Sequence, residues 1–331
     1  MSTFFNMLFL MFIAIIKNDI IFFRVGVAGM NNKNINGIEV SKVLYKELRD
    51  FLVQQSRIPC IVDISIGDDF GGLMYSKMKQ KKIEKETGMK FMSVHFDEIS
   101  YSELIKYIDS LNKSDEVTGI MLQLPLPSNL REYEREILDY IDYKKDVDGL
   151  TSKSAGLLSV GDDALIPCTA LGIESLLKSY DVDMQGKRVA IINRSNIVGK
   201  PLMNLMLRNN LTPIVCHSKT SDLASITSDC DILVAALNKK EYIDSSYIKD
   251  KAVVIDVGVH KNDQGKTVGD VKYDDVYDKV SLITPPVGAV GPMTICMLAY
   301  NAVKCVYGED VNKVLDNGIS KAKVMVKKLN R

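Results

Sequence analysis

What the chain lacks narrows its class first. Its 331 residues carry 42 basic and 42 acidic side chains, so no charge excess draws it toward nucleic acid. Six cysteines, at 60, 168, 216, 230, 296 and 305, form no C-x-x-C pair and sit in apolar runs or beside motif residues. That usage fits a reducing compartment, the cytoplasm, and excludes a secreted disulfide scaffold. Low-complexity tracts are absent, and 46% hydrophobic content at this length suits a soluble globular protein of two domains. The usual dinucleotide fingerprint G-x-G-x-x-G is missing. No metal is expected either. Lys145-Asp146-Val147-Asp148-Gly149 places an acid pair before glycine, but an EF-hand would need acids where Lys144 and Ala155 stand.

Residues 1–29 stand apart. The apolar run 4–16 is broken by Lys17-Asn18-Asp19 and resumes over 20–23, which is short and interrupted for a spanning helix. It lacks the basic start and small-residue cleavage site of a signal peptide. A membrane anchor is the alternative. The favoured expectation is a non-native or disordered extension, with Met30 as the true start and no membrane partner.

After Met30 the periodicity alternates. An amphipathic helix is expected over 37–55, then strands at 58–66, 90–95 and 117–122 separated by helices at 72–87 and 101–111, and a further helix at 129–141. A second series has strands at 188–192, 212–216, 232–236, 252–257 and 281–283, with helices at 198–207 and 221–226. Such βαβ traffic builds parallel sheets, so two α/β units lie in tandem, joined near 149–167.

Four stretches carry chemistry. Tyr75 and Lys79, at four-residue spacing, share one helical face: a flat ring to stack on a planar substrate, and an amine one turn away to exchange a proton. Lys77, Lys81 and Lys82 would supply a cationic neighbourhood, although a lysine-rich helix is more often a solvated face. Gln123 ends a buried strand before Pro125 and Pro127, placed either to hold a catalytic amine or merely to cap the strand. Asp148 would bind an amino-pyrimidine edge or sit in an ordinary solvated turn. Strand 188–192 runs into Asn193-Arg194-Ser195-Asn196-Ile197-Val198-Gly199, a turn and helix start whose amides could hold a pyrophosphate. Any βα turn could look the same. Two features tilt it toward NADP over NAD: no carboxylate follows Val215-Cys216-His217-Ser218, and Arg194 could pair with a 2′-phosphate.

Taken in order, Tyr75-x-x-x-Lys79, Gln123-Leu124-Pro125-Leu126-Pro127, Lys145-Asp146-Val147-Asp148-Gly149, Pro167-Cys168-Thr169, Arg194-Ser195-Asn196-Ile197-Val198-Gly199, His217-Ser218-Lys219-Thr220, Val254-Ile255-Asp256-Val257-Gly258 and Gly291-Pro292-Met293-Thr294 resemble bifunctional methylenetetrahydrofolate dehydrogenase/cyclohydrolases. The resemblance covers roughly 34–306, and so many motifs in fixed order make it specific.

The resemblance implies an α/β fold of two α/β domains with a cleft between them, the second a Rossmann-like NADP-binding domain. The folate-binding catalytic domain would be 30–150 plus about 292–331, the cofactor domain 151–291, and the assembly a homodimer. Lys79 would handle proton traffic, Gln123 would hold and tune its ammonium, Tyr75 would stack on the pterin and Asp148 would bind the pterin's amino edge. Leu124, Pro125, Gly288 and Pro292 would line the tetrahydrofolate site. Asn193, Arg194, Ser195, Ile197, Val198, His217, Ser218, Thr220 and Gly258 would contact NADP, with Arg194 and Ser218 on its 2′-phosphate.

Departures from the family pattern fall mostly on the cofactor side. Gly72 replaces a serine and Ala170 a proline, Asn193 stands for a glycine and would take positive φ, and Leu237, Lys239 and Ala289 replace Gly, Pro and Gly. They keep open a cyclohydrolase with weak or lost dehydrogenase activity. A non-catalytic folate-binding paralogue is the third reading, opposed by retention of Tyr75, Lys79, Gln123 and Asp148 together.

Overall fold

A computed structural model describes residues 32–67 and 70–329, so the expected extension 1–29 lies outside the described residues. In chain order the elements are α1 (Gly37–Leu52), β1 (Cys60–Ile66), α2 (Phe70–Thr87), β2 (Lys90–Phe96), α3 (Tyr101–Lys113), β3 (Gly119–Leu122), α4 (Glu134–Tyr140), α5 (Ser152–Val160) and α6 (Cys168–Ser179). There follow β4 (Arg188–Ile192), α7 (Gly199–Arg208), β5 (Thr212–Cys216), α8 (Leu223–Thr227), β6 (Ile232–Ala235), β7 (Val253–Asp256), β8 (His260–Lys261) and β9 (Thr267–Val268). The last are α9 (Tyr273–Val276), β10 (Leu282–Ile283), α10 (Val290–Tyr307) and α11 (Asn312–Leu329).

The chain forms two compact α/β units, as its alternating periodicity implies. The first holds Lys42–Cys168 and Thr294–Ile319; the second holds Thr169–Met293 with residues 32–41 and 320–329. The C-terminal stretch is thus divided at 319/320 instead of joining the first unit whole. A reason for its end is visible: Lys323 and Lys327 both pair with Asp181 of the second unit.

In the first unit the sheet order is β2-β1-β3, all parallel. β1 is buried at six of its seven positions, with the polar Asp63 and Ser65 among the buried ones. Residues 145–147 run beside β3, with Ile120 N–H donating to the Lys145 carbonyl at 2.7 Å. Only glycine permits this approach, because a Cβ on Gly119 would lie 2.3 Å from Val147 Cγ1. Lys145 Nζ donates to the carbonyls of Leu111, Asn112 and Ser114 at 2.9, 2.8 and 2.7 Å, closing the C-terminal end of α3. The helix expected over 129–141 begins as a tighter 3₁₀ turn, Arg131–Tyr133, before α4.

The second unit has sheet order β10-β7-β6-β4-β5, all parallel. From β4 the chain winds one way to β5 and the other way to β6, so the order reverses between β4 and β6. In open α/β sheets the ligand crevice lies at such a point, beyond the carboxyl ends of the strands. Here those ends are Asn193 and Ala236, and Asn193 Nδ2 donates to the Ala236 carbonyl at 2.7 Å. Among the described residues no helix is long and apolar enough to cross a membrane. All six cysteines are free thiols.

Candidate active site

In the first unit α2 presents Tyr75 and Lys79 on one inward face, 6% and 1% exposed, with Lys79 Nζ 4.7 Å from the Tyr75 ring centroid. Burial pushes the Tyr75 phenol up, and the Asp148 charge adds to the rise. The expected cationic neighbourhood is not there. Lys77 and Lys81 are exposed, because two-residue offsets turn side chains off a shared helical face, and Lys82 pairs with Glu86 at 3.1 Å. What Lys79 meets is a carboxylate, Asp63 of β1, at 3.5 Å, together with the Met121 sulfur at 3.4 Å.

Gln123, also buried, does not bond Lys79 directly. Its Nε2 donates to both Asp63 oxygens at 2.8 Å, so the amide reaches the lysine through the acid. Leu124 is buried and is joined to Pro125 by a cis peptide bond.

Asp148 arrives through the close approach at Gly119, and its neighbours hold it in place. Asp146 accepts from the Leu150 and Thr151 amides at 3.0 and 2.8 Å and from Ser154 Oγ at 2.8 Å, fixing the turn. Gly149 completes it at φ +67°, where a Cβ would also meet Leu165–Pro167 backbone within 2.8 Å. Asp148 is half-buried, and loss of water pushes its carboxyl up to about 6. The Lys79 charge opposes that rise, and Asp146 and Asp63 add to it. The Cys168 thiol, itself pushed up by burial and by Asp148, lies 3.7 Å from Asp148 Oδ1. A buried aromatic ring, a buried amine and a carboxylate of raised pKa therefore occupy one site. Gly288 and Pro292 line a recess in the second unit with Asp256, Val259 and Pro285.

At the second unit's switch point, Asn193 does not adopt positive φ. Its side chain does the work instead: Oδ1 accepts from the Ser195 and Gly199 amides at 2.7 and 3.2 Å. Ser195 Oγ accepts from Val198 N–H at 3.1 Å. Gly199 is required by packing, since a Cβ would lie 2.1 Å from the Asn193 carbonyl oxygen. Val198 is fully buried and Ile197 half-buried, so Val198 could offer a ligand only its backbone. Arg194 is exposed and makes no ion pair or side-chain hydrogen bond among the described residues. After β5, Ser218 is exposed, and the His217 amide donates to Thr220 Oγ1 at 2.9 Å, closing a turn. Gly258 packs on Asp270, which a Cβ would approach to 2.4 Å, a structural reason for that glycine. A helix start beside an exposed arginine, with no acid after β5, is a cradle that fits a phosphorylated dinucleotide.

Two family models match the chain: the catalytic domain of tetrahydrofolate dehydrogenase/cyclohydrolase over 35–148, and its NAD(P)-binding domain over 167–309. The chain belongs to the tetrahydrofolate dehydrogenase/cyclohydrolase family. Bifunctional FolD proteins of Agathobacter rectalis and Bacillus licheniformis are each 43% identical over 274 and 275 residues, covering 82% of this chain and 97% and 95% of theirs. The bifunctional FolD crystal structure from Campylobacter jejuni aligns with TM-score 0.79 at 38% identity, over 83% of this chain and 98% of that one. The Trypanosoma brucei FolD, solved with NADP cofactor and inhibitor, aligns with TM-score 0.76 at 30% identity, over 82% and 96%.

Against the family pattern, two departures are absorbed without strain. Ala289 avoids the left-handed region, whereas Gly288, at φ +89°, needs it. Room for the Ala289 backbone comes from Gly37, whose Cβ would otherwise meet its carbonyl oxygen at 1.9 Å. Leu237 packs against the apolar core of its unit with Ile214, Leu223 and Ile226. Asp270 holds its loop by accepting from the amides of Leu237, Asn238 and Lys239 at 2.7, 3.1 and 2.7 Å. Sequence reasoning missed Asp63, although an acid inside the run Cys60–Ile66 was a visible signal.

Proposed function

We propose that this chain oxidises 5,10-methylenetetrahydrofolate to the 5,10-methenyl form with NADP, and hydrolyses that form to 10-formyltetrahydrofolate. The observation that carries the reading is Lys79, fully buried yet in contact with Tyr75 and Asp63 beside Gln123 and Asp148. A lysine held there has a chemical task more than a solvating one. The folate chemistry belongs to the first unit, Lys42–Cys168 with Thr294–Ile319, and the cofactor to the second.

The bound nicotinamide supplies a hydride acceptor, and the cation left on the bridging carbon is shared by two nitrogens. That oxidation needs positioning: Tyr75 stacks on the pterin, Asp148 accepts from its amino edge, and Leu124 and Pro125 shape the wall. Hydrolysis needs proton transfer. Water adds to the methenyl carbon and loses protons, the bond from carbon to one ring nitrogen breaks, and that nitrogen takes a proton; Lys79 moves it, with Gln123 alongside. NADP is favoured over NAD by Arg194, which can pair with the 2′-phosphate together with Ser218, while Ser195 and the amides at Asn196 and Ile197 meet the pyrophosphate.

The assembly is a homodimer in a cytoplasmic compartment. β2 supports the first, as an edge strand with Met92 53% exposed. The six free thiols support the second. Purified protein should reduce NADP with methylenetetrahydrofolate, hydrolyse supplied methenyltetrahydrofolate, and run as a dimer by light scattering. Hydrolysis without oxidation would favour the cyclohydrolase reading; a folded dimer without either activity would sink the assignment.

A further inference from the structure

Asp63 has no task in the chemistry above, yet the polar groups of the site converge on it. It lies mid-strand in β1, 1% exposed. Its carboxylate accepts from Gln123 Nε2 at 2.8 Å on each oxygen and from Ser76 Oγ at 2.6 Å, and stands 3.5 Å from Lys79 Nζ. Ser76 Oγ also lies 3.0 Å from Ser93 Oγ of β2, so the acid is braced from both neighbours of its own strand. Two catalytic candidates from separate elements, α2 and the end of β3, are therefore tied to one buried charge.

The chemistry of an amide depends on which way it points. One orientation offers a donor, the other an acceptor, and a free glutamine can turn over between them. With both Asp63 oxygens on Nε2, the nitrogen is committed and Oε1 is what Gln123 has left to offer. The same carboxylate holds the lysine head where α2 delivers it, so two flexible side chains lose freedom to a rigid strand. A buried charge is costly unless its partners satisfy it, and here the partners are the reactive groups themselves.

We infer that Asp63 is a positioning residue for the hydrolytic step: it fixes the orientation of the Gln123 amide and tethers Lys79, so that acceptor and amine act together on the water and the leaving nitrogen. This rests on the function proposed above. It also separates the two reactions, because the oxidation needs the pterin held and the hydride carbon aligned, tasks of Tyr75 and Asp148, while the hydrogen bonds and ion pair of Asp63 go to Ser76, Gln123 and Lys79.

The test is Asp63→Asn, which keeps shape and removes the charge. Asparagine sets its own N–H against Gln123 Nε2 or Ser76, so the glutamine turns over and Lys79 loses its tether. Hydrolysis of supplied methenyltetrahydrofolate should fall about 10- to 100-fold in kcat, with KM within about twofold, since misplacing a proton-transfer group costs this much. Methylenetetrahydrofolate oxidation should fall no more than about threefold. A parallel loss of both activities, or no change in either, would overturn the proposal and leave Asp63 a purely structural acid. Should Asp63→Asn not fold, Ser76→Ala frees one bond to the carboxylate while keeping its charge; hydrolysis should then drop about threefold relative to oxidation, and an unchanged ratio counts against the proposal. Wild-type protein assayed beside them distinguishes the two failures, since absence of hydrolysis there removes the functional reading itself.

Discussion

Asp148 sits where the protein opposes its charge, and the cost of that can be measured. Its carboxyl rises from 3.8 toward about 6 chiefly because burial strips its water. Between those values the folded chain binds a proton that the unfolded chain has released, so on this group alone stability increases as pH falls from 7 toward 4. Above pH 6 the penalty is fully present, roughly 1–3 kcal/mol. Asp148→Asn should accordingly raise the unfolding temperature at pH 7 while weakening folate binding, because the amide cannot offer two acceptors to the pterin's amino edge. A lower unfolding temperature would contradict the burial argument. In the wild type, KM for folate should climb as pH drops below about 6, where Asp148 takes its proton. At the same scale, Lys79→Met removes the amine but keeps an apolar stem. Methenyl hydrolysis should fall by at least about 100-fold, with NADP binding by fluorescence unchanged. Wild-type hydrolysis in that variant would mean the proton passes elsewhere.

At the scale of elements, the turn after β4 shows how a departure is repaired by side chains. Asn193 closes the turn on Ser195 and Gly199 and ties it to Ala236 across the switch point. Asn193→Ala should lose all three bonds, weakening NADP about tenfold or more while leaving methenyl hydrolysis within about twofold. Calorimetric titration showing unchanged NADP affinity would mean the turn holds itself. The sequence suggested positive φ at Asn193, which the residue does not adopt, and its role as a clamp was not readable, since its partners lie across a strand and a helix start. The same limit explains Asp63, whose partners Ser76 and Gln123 are 13 and 60 residues away. Strands β1 and β4 were legible because runs of mostly buried apolar residues mark them. Helix α6 escaped because all but Lys178 of its residues are buried, so it shows no polar face and no period. Tyr75 and Lys79 were legible because their geometry is local, one helical turn, whereas the acid facing Lys79 required the sheet.

For the whole molecule the sharpest question is where the folded protein begins. Among the described residues, the first long-range anchors lie between residues 33 and 36. Lys33 Nζ donates to the Tyr277 and Asp278 carbonyls at 3.0 and 2.9 Å, and Ile35 N–H donates to Ile283 O at 2.8 Å. Asn34 Oδ1 accepts from the Tyr273 hydroxyl at 2.5 Å, and the Asn36 amide donates to the Tyr180 hydroxyl at 2.6 Å. The catalytic-domain match starts at 35. A protein starting at Met30 keeps every one of these bonds, so it should unfold within about 2 °C of the full chain and retain both activities. Starting at Ile38 removes them all. At about 1 kcal/mol per bond, part of it recovered by water, that loss is several kcal/mol and should lower the unfolding temperature by at least about 5 °C. Differential scanning calorimetry on the three proteins decides the matter. A Met30 protein clearly less stable than the full chain would show that residues before 30 contribute to the fold, and the start of the folded molecule would have to move toward Met1.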